Sequence, residues 1–244
     1  MNTSTDWFAS WFDTNFYHIL YKNRDHKEAR LFMANLVAFL NLKKNDTILD
    51  LACGKGRHSL FLNSLGFNVT GADLSENSIK YASQFENETL KFVQHDMRIP
   101  FKNKYDAIFN LFTSFGYFEN DNEDIQVLNN IKNGLKTSKS IAVIDFLNVQ
   151  KAVANLVKEE TIERDQITFN IKRLLKNGFI IKEIEVVTES EKYTYFERIK
   201  YLDLPKIIKY LETVGLTLQY TFGDYDLQKF DVNSSNRLIL IISK

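Results

Sequence analysis

The chain has 244 residues, 44% hydrophobic and 14% aromatic, enough for one buried core without disulfide or metal staples. Its 31 Lys and Arg balance 31 Asp and Glu, so no net field gathers polyanions and nucleic acid is not favoured as a partner. No apolar run of about 18 residues occurs, the first six residues are polar, and the lone Cys53 cannot close an internal disulfide; a soluble cytoplasmic protein with no membrane partner is expected.

In chain order, Trp7, Phe8, Trp11, Phe12, Phe16, Tyr17 and Tyr21 crowd the N-terminus at helical spacing that favours core packing. Asp6 and Asp13, with few lysines nearby, argue against a membrane-surface helix. Residues 27–42 carry Ala29, Phe32, Met33, Leu36, Val37 and Leu40 on one helical face, so residues 1–45 read as an aromatic, helical cap. Short apolar runs at 48–51, 68–72, 91–94, 106–111 and 141–146 then alternate with helical stretches at 57–65, 76–85 and 121–135. That alternation predicts a parallel sheet with right-handed crossovers over residues 46–150.

Residues 160–203 break the alternation. Period-two segments at 167–171, 179–187 and 193–201, with Asn177-Gly178 between the first two, predict an antiparallel insertion of three or four strands within residues 151–203. It is expected to serve as a lid or as a dimer contact, making the protein a monomer or a homodimer. A helix at 204–214 and strands at 216–222 and 236–242 complete the core over residues 204–244.

The densest chemical signal lies at residues 48–60, where an apolar strand enters a small-residue turn and then a helix. Asp50, Ala52, Gly54 and Gly56 form a D-x-A-x-G-x-G pattern, in which small residues let a ligand lie against the main chain and a side chain at either glycine occupies ligand space. A dinucleotide fingerprint needs Gly or Ala where Ser59 stands. Asp50 at the strand's end instead suits a ligand bearing an ammonium and a sulfonium.

With acids ending the next two strands, Asp73 and Asp96, the chain resembles the class I S-adenosylmethionine-dependent methyltransferases. The resemblance implies an α/β fold with a Rossmann-like, doubly wound, seven-stranded sheet carrying the small antiparallel insertion, and S-adenosyl-L-methionine as cofactor. It implies that Asp73, followed by Leu74, accepts the ribose hydroxyls and that Asp96 and Met97 meet the adenine; Arg57 and His58, at the start of the helix after the turn, either reach the cofactor carboxylate or cap and pack. It further implies that Tyr17, Tyr21 and Arg24 close over the methionyl end, and that Asn110 and Phe112 border the site. Residues 110–117, Asn-Leu-Phe-Thr-Ser-Phe-Gly-Tyr, resemble the loop after the fourth strand in related enzymes, sugar N,N-dimethyltransferases included. Residues 222–226, Phe-Gly-Asp-Tyr-Asp, are similar to a run that borders the acceptor pocket in such enzymes, or form a polar turn.

Absences narrow the chemistry. Asn110 is followed by Leu111 and Phe112 rather than Pro-Pro-Tyr, which disfavours amino methylation of nucleic acid, and the single Cys53 in the glycine turn excludes a cysteine nucleophile for cytosine C5. His18, His26 and Cys53 give no metal-ligand spacing, and His95 reads as structural. What remains is N- or O-methylation of a small acceptor facing Ser114, Tyr117 and Tyr225. A cofactor-binding protein without transfer activity, or an enzyme acting on protein or RNA, stays open.

Overall fold

The computed structural model describes residues 7–22 and 26–244. Two short helices, α1 (Trp7–Trp11) and α2 (Asn15–Leu20), precede α3 (His26–Leu40). The alternating core follows as β1 (Thr47–Leu51), α4 (Arg57–Ser64), β2 (Asn68–Asp73), α5 (Glu76–Ala82), β3 (Leu90–Gln94), β4 (Ala107–Asn110), α6 (Asp121–Gly134) and β5 (Ile141–Leu147). Then come α7 (Val149–Ala154), β6 (Glu159–Arg164), β7 (Ile167–Lys176), β8 (Phe179–Val187), β9 (Lys192–Lys200), α8 (Leu204–Val214), β10 (Thr217–Phe222) and β11 (Arg237–Ser243).

The seven-stranded sheet has the order β10-β11-β5-β4-β1-β2-β3. Strands β1 to β5 pair in parallel, whereas β11 is antiparallel to both β5 and β10. The parallel pairing expected over residues 46–150 is present, and β11, outside that range, is antiparallel because residues 223–236 join it to its neighbour β10 by a loop, and adjacent strands joined without a crossover run in opposite directions. Because side chains alternate across a strand, Ile48, Val69, Phe109 and Val143 pack under α3, α4 and α5, while Leu49, Leu51, Ile108 and Ile144 pack on the α6 and α8 side. The order reverses between β1 and β4, and in open α/β sheets ligands bind beyond the carboxyl ends of the strands at that point.

Local chemistry ends the helices where expected. Asn120 and Glu123 form a capping box on α6, and α8 begins after Asp203, whose side chain accepts from the Lys206 N–H, and stops at Gly215 in the left-handed region (φ 67°).

The insertion is a four-stranded antiparallel sheet in the order β6-β7-β8-β9. Asn177 and Gly178 turn β7 into β8 with φ of 51° and 76°, the two positive values a type I′ hairpin demands. Strand β6, outside the three expected segments, is almost wholly solvent-facing and so carries no apolar alternation, and α7 is a single short helix that the sequence reading passed over. Strand β9 packs on α1, with Trp11 against Tyr195 at 4.7 Å between ring centroids. The Lys200 N–H donates to the Gly116 carbonyl at 2.8 Å, and the buried Lys200 ammonium bonds the buried Asp124 carboxylate, tying the insertion to the loop after β4 and to α6. Among the described residues no helix is long and apolar enough to cross a membrane.

Candidate active site

The turn after β1 is built from backbone that few side chains tolerate: Ala52, Gly54 and Gly56 have φ of 61°, 55° and 81°. Their conformations carry the chain from β1 into α4 beneath a cavity of about 550 Å³, a size suited to a small ligand. The two glycines differ. A methyl group placed on Gly54 meets no atom within 4 Å and would stand in the cavity that Gly54 lines; on Gly56 it would lie 2.6 Å from the Phe92 ring. Gly56 therefore serves packing of α4 on the sheet, a correction to the expectation that both glycines make room for ligand.

Asp73 closes the turn from β2. One carboxylate oxygen accepts the Gly54 N–H at 2.7 Å and the other the Ser75 N–H at 2.8 Å, and burial nevertheless raises its pKa. A carboxylate offers about four acceptor positions, so each oxygen keeps capacity for a ligand hydroxyl. Asp96 also lines the cavity, with Arg98 bonded to both of its oxygens; burial works to raise its pKa, but the Arg98 hydrogen bonds prevail and hold it below the ordinary value. Asp50 is 1% exposed and accepts the Ser59 hydroxyl at 2.6 Å; burial pushes its pKa up to about 6. Burial likewise raises the Cys53 thiol, which is no thiolate nucleophile.

Of the residues named from sequence, Tyr17, Tyr21, Ala52, Gly54, Arg57, His58, Asp73, Leu74, Asp96, Met97, Phe112, Ser114 and Tyr117 line this one cavity. Asp50, Gly56 and Asn110 stand behind its wall, Tyr225 lines a neighbouring cavity, and Arg24 lies outside the described residues. The Asn110 amide donates to the Leu51 carbonyl at 2.9 Å, while its buried carbonyl oxygen has no protein partner. The ring of His58 stacks on Phe112 at 4.8 Å and the Arg57 guanidinium lies 4.4 Å from the same ring. His95, read as structural, lines the cavity and bonds the Ile99 carbonyl through Nε2.

Sequence reasoning missed the device that seats the cap. Asp13 accepts from the Ser75 hydroxyl and the Asn77 amide, both at 2.5 Å, bringing the Phe12 and Tyr17 segment over the start of α5. On the other side Glu197 of β9 accepts the Trp11 indole N–H at 2.8 Å and the Tyr21 hydroxyl at 2.7 Å. An isolated acid before an aromatic pair has no spacing signature that would have revealed either contact.

The neighbouring cavity, about 900 Å³, is lined by Trp7, Leu31, Glu197, Ile199 and Tyr225 among others. Phe12, Phe112, Thr113 and Tyr117 line both cavities and so form the partition between them. Carboxylates outnumber cations in the second lining, with Glu28, Glu197, Asp224 and Asp226 against Lys27 and Arg237. Burial, then the charge of Asp145, raises the Tyr225 pKa, so its phenol stays protonated and donates to Asp145 at 3.3 Å.

Residues 48–138 match the family model described as methyltransferase domain. Residues 48–138 are thus similar to a methyltransferase domain. In the chain, 100 residues are 36% identical to the putative methyltransferase YqeM of Bacillus subtilis, a stretch covering 39% of this chain and 40% of that protein. The match thus spans well under half of that relative. Over nearly its full length the chain superposes on an S-adenosylmethionine-dependent methyltransferase from Clostridium acetobutylicum, with TM-score 0.78, 17% identity and coverage of 93% and 95% of the two chains. The sugar N-methyltransferase KedS8 from Streptoalloteichus sp. gives TM-score 0.70 at 15% identity, covering 93% of each chain. At such identities the likeness is one of fold.

Proposed function

We propose that this chain binds S-adenosyl-L-methionine in the smaller cavity and transfers its methyl group to a nitrogen or oxygen of a small molecule held in the larger one. The observation that carries this reading is the shared partition of Phe12, Phe112, Thr113 and Tyr117, which sets two ligand-sized spaces back to back beyond the strand ends. The residues present suit the cofactor: Gly54 leaves open space where a Cβ would stand, Asp73 retains acceptor capacity, and Asn110 has an unpartnered buried oxygen at the wall. When bound, the cofactor supplies a sulfonium-activated methyl group, so no metal is needed. The acceptor would take that methyl group on its lone pair and release a proton, with the carboxylates of the larger cavity at hand to take it.

The protein's share is alignment and exclusion of water, a contribution that can reach several kcal/mol in orientation alone. Asp73 would hold the ribose and Met97 the adenine, while Tyr17 and Tyr21 of the cap cover the methionyl end. The acidic excess in the larger cavity supports an amine acceptor over an acidic one, since it draws a cation and can take its proton. The covering cap and insertion support a small acceptor over RNA or protein, and the buried, lone Cys53 suits a reducing interior. Calorimetry with S-adenosylhomocysteine tests the first half; absence of binding would remove the cofactor reading. Transfer of labelled methyl from the cofactor to a panel of amino sugars, other amines and phenols tests the second.

A further inference from the structure

Phe112 and Thr113, the centre of the partition, both have left-handed backbone, with φ of 60° and 65°. Successive non-glycine residues in that region are uncommon, and a β-branched threonine there is a strong outlier. Such backbone persists only where its surroundings over-determine it. On their own loop the Tyr117 hydroxyl donates to the Thr113 carbonyl, and the restraint on the two amides and on the Thr113 hydroxyl comes from two strands remote in sequence.

Asp145, wholly buried within β5, takes the Phe112 N–H on its carboxylate at 2.9 Å and the Thr113 N–H on its main-chain carbonyl at 3.1 Å. Arg237, the first residue of β11, donates through Nε to the other Asp145 oxygen at 2.8 Å and through Nη2 to the Thr113 hydroxyl at 2.8 Å. One planar guanidinium thus grips the carboxylate and the strained residue together, a task that needs its fork geometry rather than charge alone. The same carboxylate accepts the Tyr225 hydroxyl on the acceptor side.

We infer that Asp145 and Arg237 are positioning residues for methyl transfer: they lock Phe112 and Thr113 into the left-handed partition and so fix where the donor space faces the acceptor space. This inference rests on the proposed methyl-transfer reading for its functional half, while its structural half stands on the contacts alone. Neither residue touches the donor cavity through the lining, so the clamp acts through the loop it holds.

The test uses Arg237→Lys, which keeps a cation beside the buried carboxylate but cannot bridge to Thr113, and Thr113→Val, which keeps the side-chain shape but removes the hydroxyl. In the folded full-length chain, amide hydrogen exchange at Phe112 and Thr113 should accelerate at least tenfold in either variant, with Ile108 and Phe109 of β4 unchanged. The double variant should add nothing further, because both changes break one link. In Arg237→Lys, whose side chain lies outside the donor cavity, affinity for S-adenosylhomocysteine should stay within threefold, while sinefungin, in which an amine stands where the cofactor carries its methyl group, should lose at least fivefold relative to it. Unchanged exchange at 112 and 113, or additive effects in the double variant, overturns the clamp. Faster exchange with the sinefungin preference intact overturns the positioning role and leaves only a structural one. If the parent binds neither ligand, the methyl-transfer reading and the positioning role fall together, and the exchange data still decide whether the clamp exists.

Discussion

The two cavities share a wall but are built in opposite ways. The proposed donor side is set chiefly by main-chain geometry: the turn from Ala52 to Gly56, then Asp73, then Asp96 and Met97, each at or just past the end of a parallel strand. The proposed acceptor side is assembled from side chains far apart in sequence, with Trp7 and Phe12 from the cap, Glu197 and Ile199 from β9, and Tyr225 and Arg237 near the C-terminus. A fold can hold the first kind of site while the second is rebuilt from its loops, and this is why backbone motifs speak to cofactor class and side-chain walls to substrate.

The sharpest break in that comparison is expected within the glycine turn itself. Gly56→Val places atoms against the Phe92 ring and forces a β-branched residue to φ of 81°, so the fold should lose about 3 kcal/mol or more, read by chemical denaturation. Gly54→Ala meets nothing within 4 Å and should cost about 1 kcal/mol of stability, yet abolish S-adenosylhomocysteine binding by standing in the cavity. Equal stability losses in the two variants, or retained binding in Gly54→Ala, would erase the distinction between the packing glycine and the ligand glycine.

Next in size is Asp73→Ala. Loss of a carboxylate that would accept ribose hydroxyls is expected to weaken S-adenosylhomocysteine by roughly 2–3 kcal/mol, the scale of charge-assisted hydrogen bonds. The variant also leaves the Gly54 and Ser75 amides without their acceptor, so calorimetry must be paired with a melting curve. Unchanged affinity would take Asp73 out of the site.

These contrasts also explain what could be read from the residues in advance. Gly54, Asp73 and Asp96, which line one cavity, are legible because a strand, a tight turn and a helix impose a short, repeated spacing on chemistry. The hairpin at Asn177 and Gly178 is legible for a similar local reason. Asp145, Arg237, Asp13 and Glu197 were not, because each acts through a partner between 33 and 186 positions away or through a side chain with no turn constraint of its own. The reversal of β11 was hidden for the same cause: pairing direction is a property of two strands and their connection, not of either strand's composition.

Asp50 gives a smaller effect with a defined pH window. Its pKa is about 6 in the fold against an ordinary 3.8, so the native state binds the proton more tightly than the unfolded chain. The stability that comes with its protonated form is fully present below about pH 4 and is lost as pH rises through about 6. Asp50→Asn, which still accepts from Ser59, should therefore stabilise the protein by about 1–2 kcal/mol at pH 8 and change little at pH 4. If the ionised carboxylate draws the cationic cofactor, affinity for S-adenosylmethionine should fall in the same variant at pH 8. A stability gain independent of pH would show that burial of the charge is not its source.

The smallest expected effect probes the junction between cap and insertion, where both walls of the acceptor side meet. Glu197 accepts from Trp11 and Tyr21 through one oxygen, and Lys182 stands 3.5 Å from the other. Glu197→Gln keeps an acceptor for both donors and removes only the charge, and Lys182 retains the Tyr21 hydroxyl and ring as neighbours. The pair is partly shielded, with 15% and 14% side-chain exposure, so its loss should exceed that of a surface ion pair but stay near 1 kcal/mol. Global stability is a blunt measure of so small a term. The indole fluorescence of Trp11 is better placed, because the cap packs on the insertion through Trp11 on Tyr195 and Phe16 on Tyr193 as well as through Glu197. With those ring contacts intact the spectrum should shift little in Glu197→Gln, while Glu197→Ala, which removes the acceptor, should shift it toward a solvent-exposed indole and speed cap opening. Were Gln and Ala to behave alike, charge rather than hydrogen bonding would hold the cap, and the acceptor wall would respond to salt where the donor turn does not.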